Sequence, residues 1–215
     1  MAITGQMMKV LILGATRGVG RQVLAQALDA GHAVTAFARS ADTIPARERL
    51  HIVPGSVADD VTLLTEAMRG QDVVVSALGR GMTLKSDNII QRTVPPILAA
   101  MHAHGVRRLI FTSAIGVGDT IRDAPLFSRM MIRFVLNDIY ADKIAGEKHI
   151  LRSDLDWTLV QPAQLTDGPL TRTYRAGEHL AMRGMPKISR ADTAHFIISQ
   201  LDHTAFVRKV VLIAY

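Results

Sequence analysis

The chain has 215 residues, 48% of them hydrophobic and 20% charged, which is enough for a full core and excludes a disordered chain. It has no cysteine, so disulfides, thiolate chemistry and Cys-type metal sites are excluded, and no apolar run approaches the ~18–20 residues that cross a bilayer. The net charge of +6 comes from scattered Lys and Arg, without the aromatic interleaving of a base-stacking surface, so nucleic acid is not an expected partner.

Residues 1–9 lack a basic stretch followed by an apolar one, so no leader is expected and a soluble, cytoplasmic protein is. Residues 9–13 (Lys-Val-Leu-Ile-Leu) form an apolar run stopped by Gly14, the pattern of a parallel strand buried on both faces. Residues 18–30 read as a helix with Val19, Val23, Leu24, Ala27 and Leu28 on one stripe, and Gly31 stops it. Strands follow at 33–38 and 51–53, a helix at 61–68, and a fourth strand at 72–78. Residues 87–104 have a helical pattern, with Pro95-Pro96 expected to kink it or delay its start. A fifth strand is predicted at 107–113, a loop at 114–125 and one long helix at 126–151. Residues 157–161 form a sixth strand, and 162–187 read as irregular. Ser189-Arg-Ala-Asp192 resembles a capping box opening a helix to about residue 201, and 207–214 close the chain as a strand.

This alternation predicts a single α/β domain over residues 1–215. It would be a doubly wound Rossmann fold with a mostly parallel seven-stranded sheet. Ligands of such sheets bind at the carboxyl ends of the strands, so the loops after Gly14, Arg39, Gly55, Leu78, Ser113 and Gln161 should share one cleft.

Gly14-Ala-Thr-Arg-Gly18-Val-Gly20 joins the first strand to the first helix. Gly14 suits a tight turn, Gly18 a close approach of backbone to pyrophosphate, and Gly20 close packing of helix on strand. The G-x-x-x-G-x-G spacing departs from the usual dinucleotide fingerprint. A P-loop is excluded because no Gly-Lys-Ser/Thr follows. The second strand ends in Arg39, not in the acidic residue that would read the ribose of NAD. With Arg17 in the glycine loop it forms a pair of guanidiniums suited to a 2′-phosphate, which favours NADP(H). Either arginine alone reads as solvated surface.

These motifs, with Ser76-Ala-Leu-Gly79, Arg107-Arg-Leu-Ile-Phe-Thr-Ser113, Lys143-x-x-x-Glu147 and Asp156-Trp-Thr-Leu-Val-x-Pro162, resemble an atypical short-chain dehydrogenase/reductase. The group most resembled is the NAD(P)H-binding, NmrA-like family that includes flavin and biliverdin-IXβ reductases. The resemblance runs from about residue 8 to 215 and speaks to fold and cofactor more than to substrate. It implies that Gly14, Thr16, Arg17, Gly18 and Val19 contact the pyrophosphate side and Arg39 the adenosine phosphate. Ser56, beside Val57, stands where many relatives have an Asp that reads adenine, so that contact would be lost or replaced. Ala77, Leu78 and Gly79 would line the cofactor, Ser113 matches the family's catalytic serine, and Pro162 and Ala163 would flank the nicotinamide. The usual Arg before that proline is Gln161 here.

The Tyr–Lys pair departs from the family pattern. Lys143 matches the family lysine, but Ile139 occupies the tyrosine position and Tyr140 lies one residue on, giving Tyr-x-x-Lys. Tyr140 could reach the substrate, Lys143 could serve only the ribose, or the protein could bind cofactor without chemistry; Tyr140 as a packing residue is equally open. No histidine grouping has metal-ligand spacing, and there is no Gly-x-Ser-x-Gly. His179, in the 162–187 segment, could face a substrate.

The expected function is an NADPH-dependent oxidoreductase that passes hydride to a flavin, quinone or carbonyl-type small molecule. Ser113, Tyr140 and Lys143 are its candidate catalytic residues, and 162–187 is a substrate-side lid. The alternative is an NADP(H)-binding redox sensor with little catalysis. No membrane partner is expected, and the chain is expected to be a monomer or homodimer.

Overall fold

Burial on both faces decides the first strand. The computed structural model describes residues 6–79, 87–134, 136–182 and 184–215. β1 (Lys9–Leu13) is buried at every position from Val10 on. Val10 and Ile12 pack into one core with α1 (Gly18–Asp29) and α6 (Arg190–Ser199). Leu11 and Leu13 pack into a second with α2 (Val61–Met68), α3 (Ile89–Ala103) and α5 (Asn137–Arg152). A strand covered on both sides gains from an apolar residue at each position, so the sequence shows a run and not an alternation.

The other strands are β2 (Ala33–Ala38), β3 (Leu50–Pro54), β4 (Val73–Ser76), β5 (Arg108–Thr112), β6 (Asp156–Pro162), β7 (Gln164–Thr166), β8 (Arg175–Gly177), β9 (Lys187–Ser189) and β10 (Lys209–Ala214). The main sheet runs β3-β2-β1-β4-β5-β6-β10-β8. Its first seven strands are parallel, in the doubly wound order. The sheet has eight strands where seven were expected, because β8 adds antiparallel to β10. β7 and β9 pair separately. The 162–187 segment is therefore not irregular: it holds β7 and β8 and leads into β9, each three residues long and too short to show a period.

Two helix expectations need correction. The single helix over 126–151 is two, α4 (Leu126–Phe134) and α5. α3 carries Pro95 and Pro96 inside it, with no start delayed to the prolines. Its first turn is held from outside. Asp142 of α5 is 2% exposed and accepts hydrogen bonds from the backbone N–H groups of Ile90 (3.1 Å) and Gln91 (3.0 Å). This carboxylate acts as the cap that Asn88 does not supply. Gly146, one turn along α5, sits where a Cβ would come within 2.3 Å of Ile90 Cγ2. Tertiary contact thus overrides the local cost of the prolines.

The Arg107–Arg108 pair lies at the amino end of β5, away from the strand ends that hold ligands. Arg108 donates to the carbonyls of Asp156 (2.7 Å) and Gln200 (2.8 Å), and burial lowers its pKa to about 10. Arg107 and Arg208 both donate to the Asp154 carbonyl at 2.6 Å. Part of the basic excess is thus used to tie loops together. Among the described residues no helix is long and apolar enough to cross a membrane. Residues 1–5, position 135 in the expected long helix and position 183 in the 162–187 segment lie outside the described residues.

Replacing Asp142 by Ala is expected to lower the unfolding free energy by about 1–2 kcal/mol, read from denaturant midpoints. An unchanged midpoint would contradict the cross-helix cap.

Candidate functional site

The loops after β1 and β4 meet at the point where strand order reverses. Gly14 has φ +87°, and a Cβ there would lie 2.8 Å from the Ala77 carbonyl oxygen. Ala77 in turn donates its N–H to the Leu13 carbonyl at 2.9 Å. The predicted phosphate turn and the predicted Ala77-Leu78-Gly79 lining are therefore one wall. A Cβ on Gly20 would come within 2.0 Å of the Gly14 carbonyl oxygen, so the helix rests directly on the turn. Gly18 has φ +58° and an open face whose nearest neighbour is Arg190 Nε, 3.9 Å from a Cβ position.

The helix end beside Gly18 carries no side-chain cap from its N-cap, Arg17, and no acidic first-turn residue that would compete with an anion. Arg17 and Arg39 are both exposed, at the carboxyl ends of β1 and β2. Thr16 is half-buried, and the Val19 side chain belongs to the core, leaving its backbone to the turn. Ser56 donates its hydroxyl to Asp59 (2.6 Å) and its N–H to Asp60 (2.7 Å), and Val57 is packed in the core. Positive dipole, glycine backbone and exposed guanidiniums fit the pyrophosphate of a dinucleotide.

The far end of the cleft forms where β5 and β6 finish. Ser113 N–H donates to Val160 O (2.8 Å) and Ile115 N–H to Pro162 O (3.1 Å), which sets Ser113 beside buried Pro162 and Ala163. Ser113 is 7% exposed, and its buried hydroxyl makes no hydrogen bond of regular geometry among the described residues. Tyr140 spends its hydroxyl on the Ile115 carbonyl at 2.9 Å, and burial pushes its pKa up to about 12.

Lys143 and Glu147 stand on successive turns of α5. Glu147 is 4% exposed; burial pushes its carboxyl well up, against the opposing pull of Ser113, Lys143 and Gln161. Gln161 Nε2 donates toward both Glu147 oxygens at 3.3 and 3.4 Å, and Thr120 bonds the Gln161 carbonyl oxygen. Thr120, Gln161, Glu147 and Ser113 thus form one buried polar chain at the strand ends.

A cavity of about 570 Å³ opens beyond it, lined by Arg122, Asp123, Arg129, His179, Leu180 and Met182 among others. His179 Nδ1 lies 3.4 Å from Asp123 there. Among the described residues no group of three His, Cys, Asp or Glu is placed to hold a metal ion.

Three features escaped the sequence reading. Arg190, beside Gly18, pairs with Asp167 at 2.8 Å and shows itself only through the fold. Glu147 was visible as part of a motif, but its neutral partner Gln161 lies on another element. The third is Asp192. Half of the expected capping box forms: Ser189 Oγ accepts from Asp192 N–H at 2.9 Å. The Asp192 carboxylate is too short to return the bond and instead receives Thr171 N–H and hydroxyl, Arg172 N–H and the Tyr215 hydroxyl at 2.7–2.9 Å. Burial alone would raise its pKa; these bonds outweigh that and lower it.

Comparison with known proteins agrees with this geometry. A family model described as NAD(P)H-binding matches residues 14–204. The chain is 27% identical over 220 residues to UPF0659 protein YMR090W of Saccharomyces cerevisiae, covering 95% of this chain and 92% of that one. A short-chain dehydrogenase/reductase from Veillonella parvula solved with NADP superposes with a TM-score of 0.82 at 19% identity, over 98% of this chain and 95% of that one. The anaerobillin reductase ChuY of Escherichia coli O157:H7 gives 0.78 at 21% identity, over 95% and 96%. At those identities the two structures speak for the Rossmann fold.

Asp192→Ala is expected to cost on the order of 3 kcal/mol of stability at neutral pH, by leaving buried donors unpaired. Because the folded pKa is lowered, the wild-type advantage holds above the unfolded value of ~3.9 and fades as pH falls through the folded one. Denaturant unfolding of both proteins from pH 7 to pH 3 reads this; a constant gap would contradict it.

Proposed function

The chain belongs to the NAD(P)H-binding family, and on that premise we propose that it is an NADPH-dependent oxidoreductase passing hydride to a flavin, a quinone or a carbonyl-bearing small molecule. The observation that carries this reading is the junction of Gly14 with Ala77 beside an uncapped, acid-free helix end flanked by two exposed arginines. The similarity to a dehydrogenase/reductase bound to NADP and to a reductase supports it.

In this reading the backbone of Gly14, Thr16, Gly18 and Val19 holds the pyrophosphate, and Arg17 and Arg39 hold the adenosine 2′-phosphate. Arg190, whose guanidinium stands beside Gly18, adds a third cation. Ser56 and Val57 border the adenine, and Ala77, Leu78 and Gly79 line the middle of the cofactor. Pro162 and Ala163 bound the nicotinamide pocket and exclude water from one side. A bound nicotinamide supplies the hydride; the protein supplies orientation and a dry site. Lys143 holds the ribose and Ser113 donates a hydrogen bond to the acceptor. The acceptor lies toward the cavity lined by Arg122 and His179, under a lid drawn from 162–187.

One observation favours the second reading, a redox sensor. The Tyr140 hydroxyl is engaged by the Ile115 carbonyl and is not presented to the cleft as a free acid. Steady NADPH consumption with flavin mononucleotide, menadione or a small ketone decides between them; binding without turnover would favour the sensor.

Arg39→Ala is expected to weaken NADPH binding about 10- to 100-fold in a fluorescence titration and to leave NADH within about twofold, since a charge-assisted contact to one phosphate is worth ~1.5–3 kcal/mol. Equal losses for both cofactors would contradict the clamp.

A further inference from the structure

Arg190 reaches the glycine turn from a distant part of the chain, and it does not come alone. The parallel pairing of β7 with β9 sets Thr166 opposite Ser189, so the residue that follows each, Asp167 and Arg190, leave the pair side by side. Arg190 Nη1 donates to the Asp167 carboxylate at 2.8 Å. The mount of Arg190 is rigid. It opens α6 directly after Ser189, whose hydroxyl caps that helix, and Gln26 of α1 donates to the neighbouring Ala191 carbonyl at 2.9 Å. Ala194 and Ile197 of α6 share a core with Val19 and Val23 of α1. The guanidinium is thereby held beside the helix end that follows the glycine turn, with Nε the atom nearest a Cβ position on Gly18, at 3.9 Å.

Two edges of one guanidinium therefore face different things. Asp167 takes Nη1. The Nε–H and Nη2–H bonds run parallel on another edge, the one that meets a phosphate through two hydrogen bonds at once. The Asp167 side chain is 91% exposed and that of Arg190 29%, so the pair adds little to stability by itself. What it does is fix the aim of a long side chain that has many rotamers. Asp167 is itself held in place, because the residues after it are fastened to the same turn of α6. The Pro169 carbonyl accepts from Ser189 Oγ at 3.0 Å, and Asp192 accepts the N–H groups of Thr171 (2.9 Å) and Arg172 (2.7 Å).

We propose that Asp167 is a positioning residue for the cofactor: by holding Nη1 of Arg190 it presents the Nε edge to the pyrophosphate at Gly18. The inference rests on the cofactor reading above and goes beyond it in two ways. It assigns Arg190 to the pyrophosphate, which NADP and NAD share, and not to the 2′-phosphate. It also gives an acid on the 162–187 segment a part in binding an anion. The carboxylate repels that anion only weakly, since water screens a charge so exposed. The orientation it imposes is not screened. A side chain already aimed has less rotamer freedom to lose when the pyrophosphate arrives, so binding is tighter with Asp167 than without it.

Fluorescence titrations with NADPH and with NADH read the proposal. Arg190→Ala is expected to weaken both about 10-fold or more and by equal factors, in contrast to the loss for NADPH alone expected of Arg39→Ala. Asp167→Asn is expected to weaken both about threefold, again equally. Inorganic pyrophosphate, competing with NADPH, should lose the same factor in Asp167→Asn. In the Arg190→Ala background Asp167→Asn should change nothing, because Asp167 acts through that guanidinium. The denaturant midpoint of Asp167→Asn should match the wild type, as befits a side chain so exposed, so a folding defect does not stand in for the loss. Tighter binding of both cofactors by Asp167→Asn would show the carboxylate to be a competitor for Arg190 and overturn the proposal. So would unchanged binding, a loss confined to NADPH, or an effect of Asp167→Asn that persists in Arg190→Ala. In each of those cases the cofactor reading stands and this proposal falls alone. If the wild type binds neither NADPH nor NADH, the cofactor reading falls and takes this one with it.

Discussion

The backbone of Gly14 lies against the Ala77 carbonyl, closer than any side chain would permit. That contact exists because β1 sits between β2 and β4, the place where the winding of the sheet reverses. The two loops leaving β1 and β4 meet there and border the crevice of the switch point with backbone atoms. Gly20 transmits the same constraint to α1, whose first turn rests on the Gly14 carbonyl. The free N–H groups of that helix are aimed by this stack. The burial of β1 on both faces holds the stack rigid, since Val10 and Ile12 belong to one core and Leu11 and Leu13 to the other.

The opposite end of the cleft is built on different physics. There the strand ends of β5 and β6 carry polar side chains into a buried space, and each must find a partner inside it. Thr120, Gln161 and Glu147 satisfy one another, and Tyr140 satisfies the Ile115 carbonyl. Ser113, like Thr112 just before it, has a buried hydroxyl with no regular partner among the described residues. An open position in a buried polar network is costly unless it is used, which is the physical ground for proposing that Ser113 meets the acceptor. The same network separates the roles of α5. Asp142 faces α3 as a cap, Gly146 admits Ile90, and Glu147 meets Gln161 of β6.

Local demands made the first end of the site readable from sequence. Positive φ at Gly14 and Gly18, the apolar run before them and the stop at Gly31 are each properties of a few adjacent residues. Arg17 and Arg39 were readable for the same reason, since their places follow directly from the ends of two strands. What stayed hidden depends on pairs far apart in the chain. Asp142 caps a helix 51 and 52 residues upstream in sequence, Arg108 bonds a carbonyl 92 residues away, and Arg190 comes beside Gly18 only through the packing of α6 on α1. β7, β8 and β9 were hidden because three residues carry no period, and the division between α4 and α5 because the helical pattern continues across it. The capping box misled in part: the sequence showed the acid, but the reach of Asp against Glu decided that Asp192 would serve residues 171–172 and Tyr215.

The central claim is that one nicotinamide cofactor spans both ends of this cleft, from the glycine turn to Ser113. A crystal structure of the protein soaked with NADP+ tests it most directly. The expected result has the pyrophosphate over the backbone of Gly14 to Val19, the 2′-phosphate between Arg17 and Arg39, and C4 of the nicotinamide facing the Ser113 hydroxyl. A cofactor bound away from the Gly14 turn, or one whose nicotinamide ring points out of the cleft while Ser113 stays covered by protein, would contradict it.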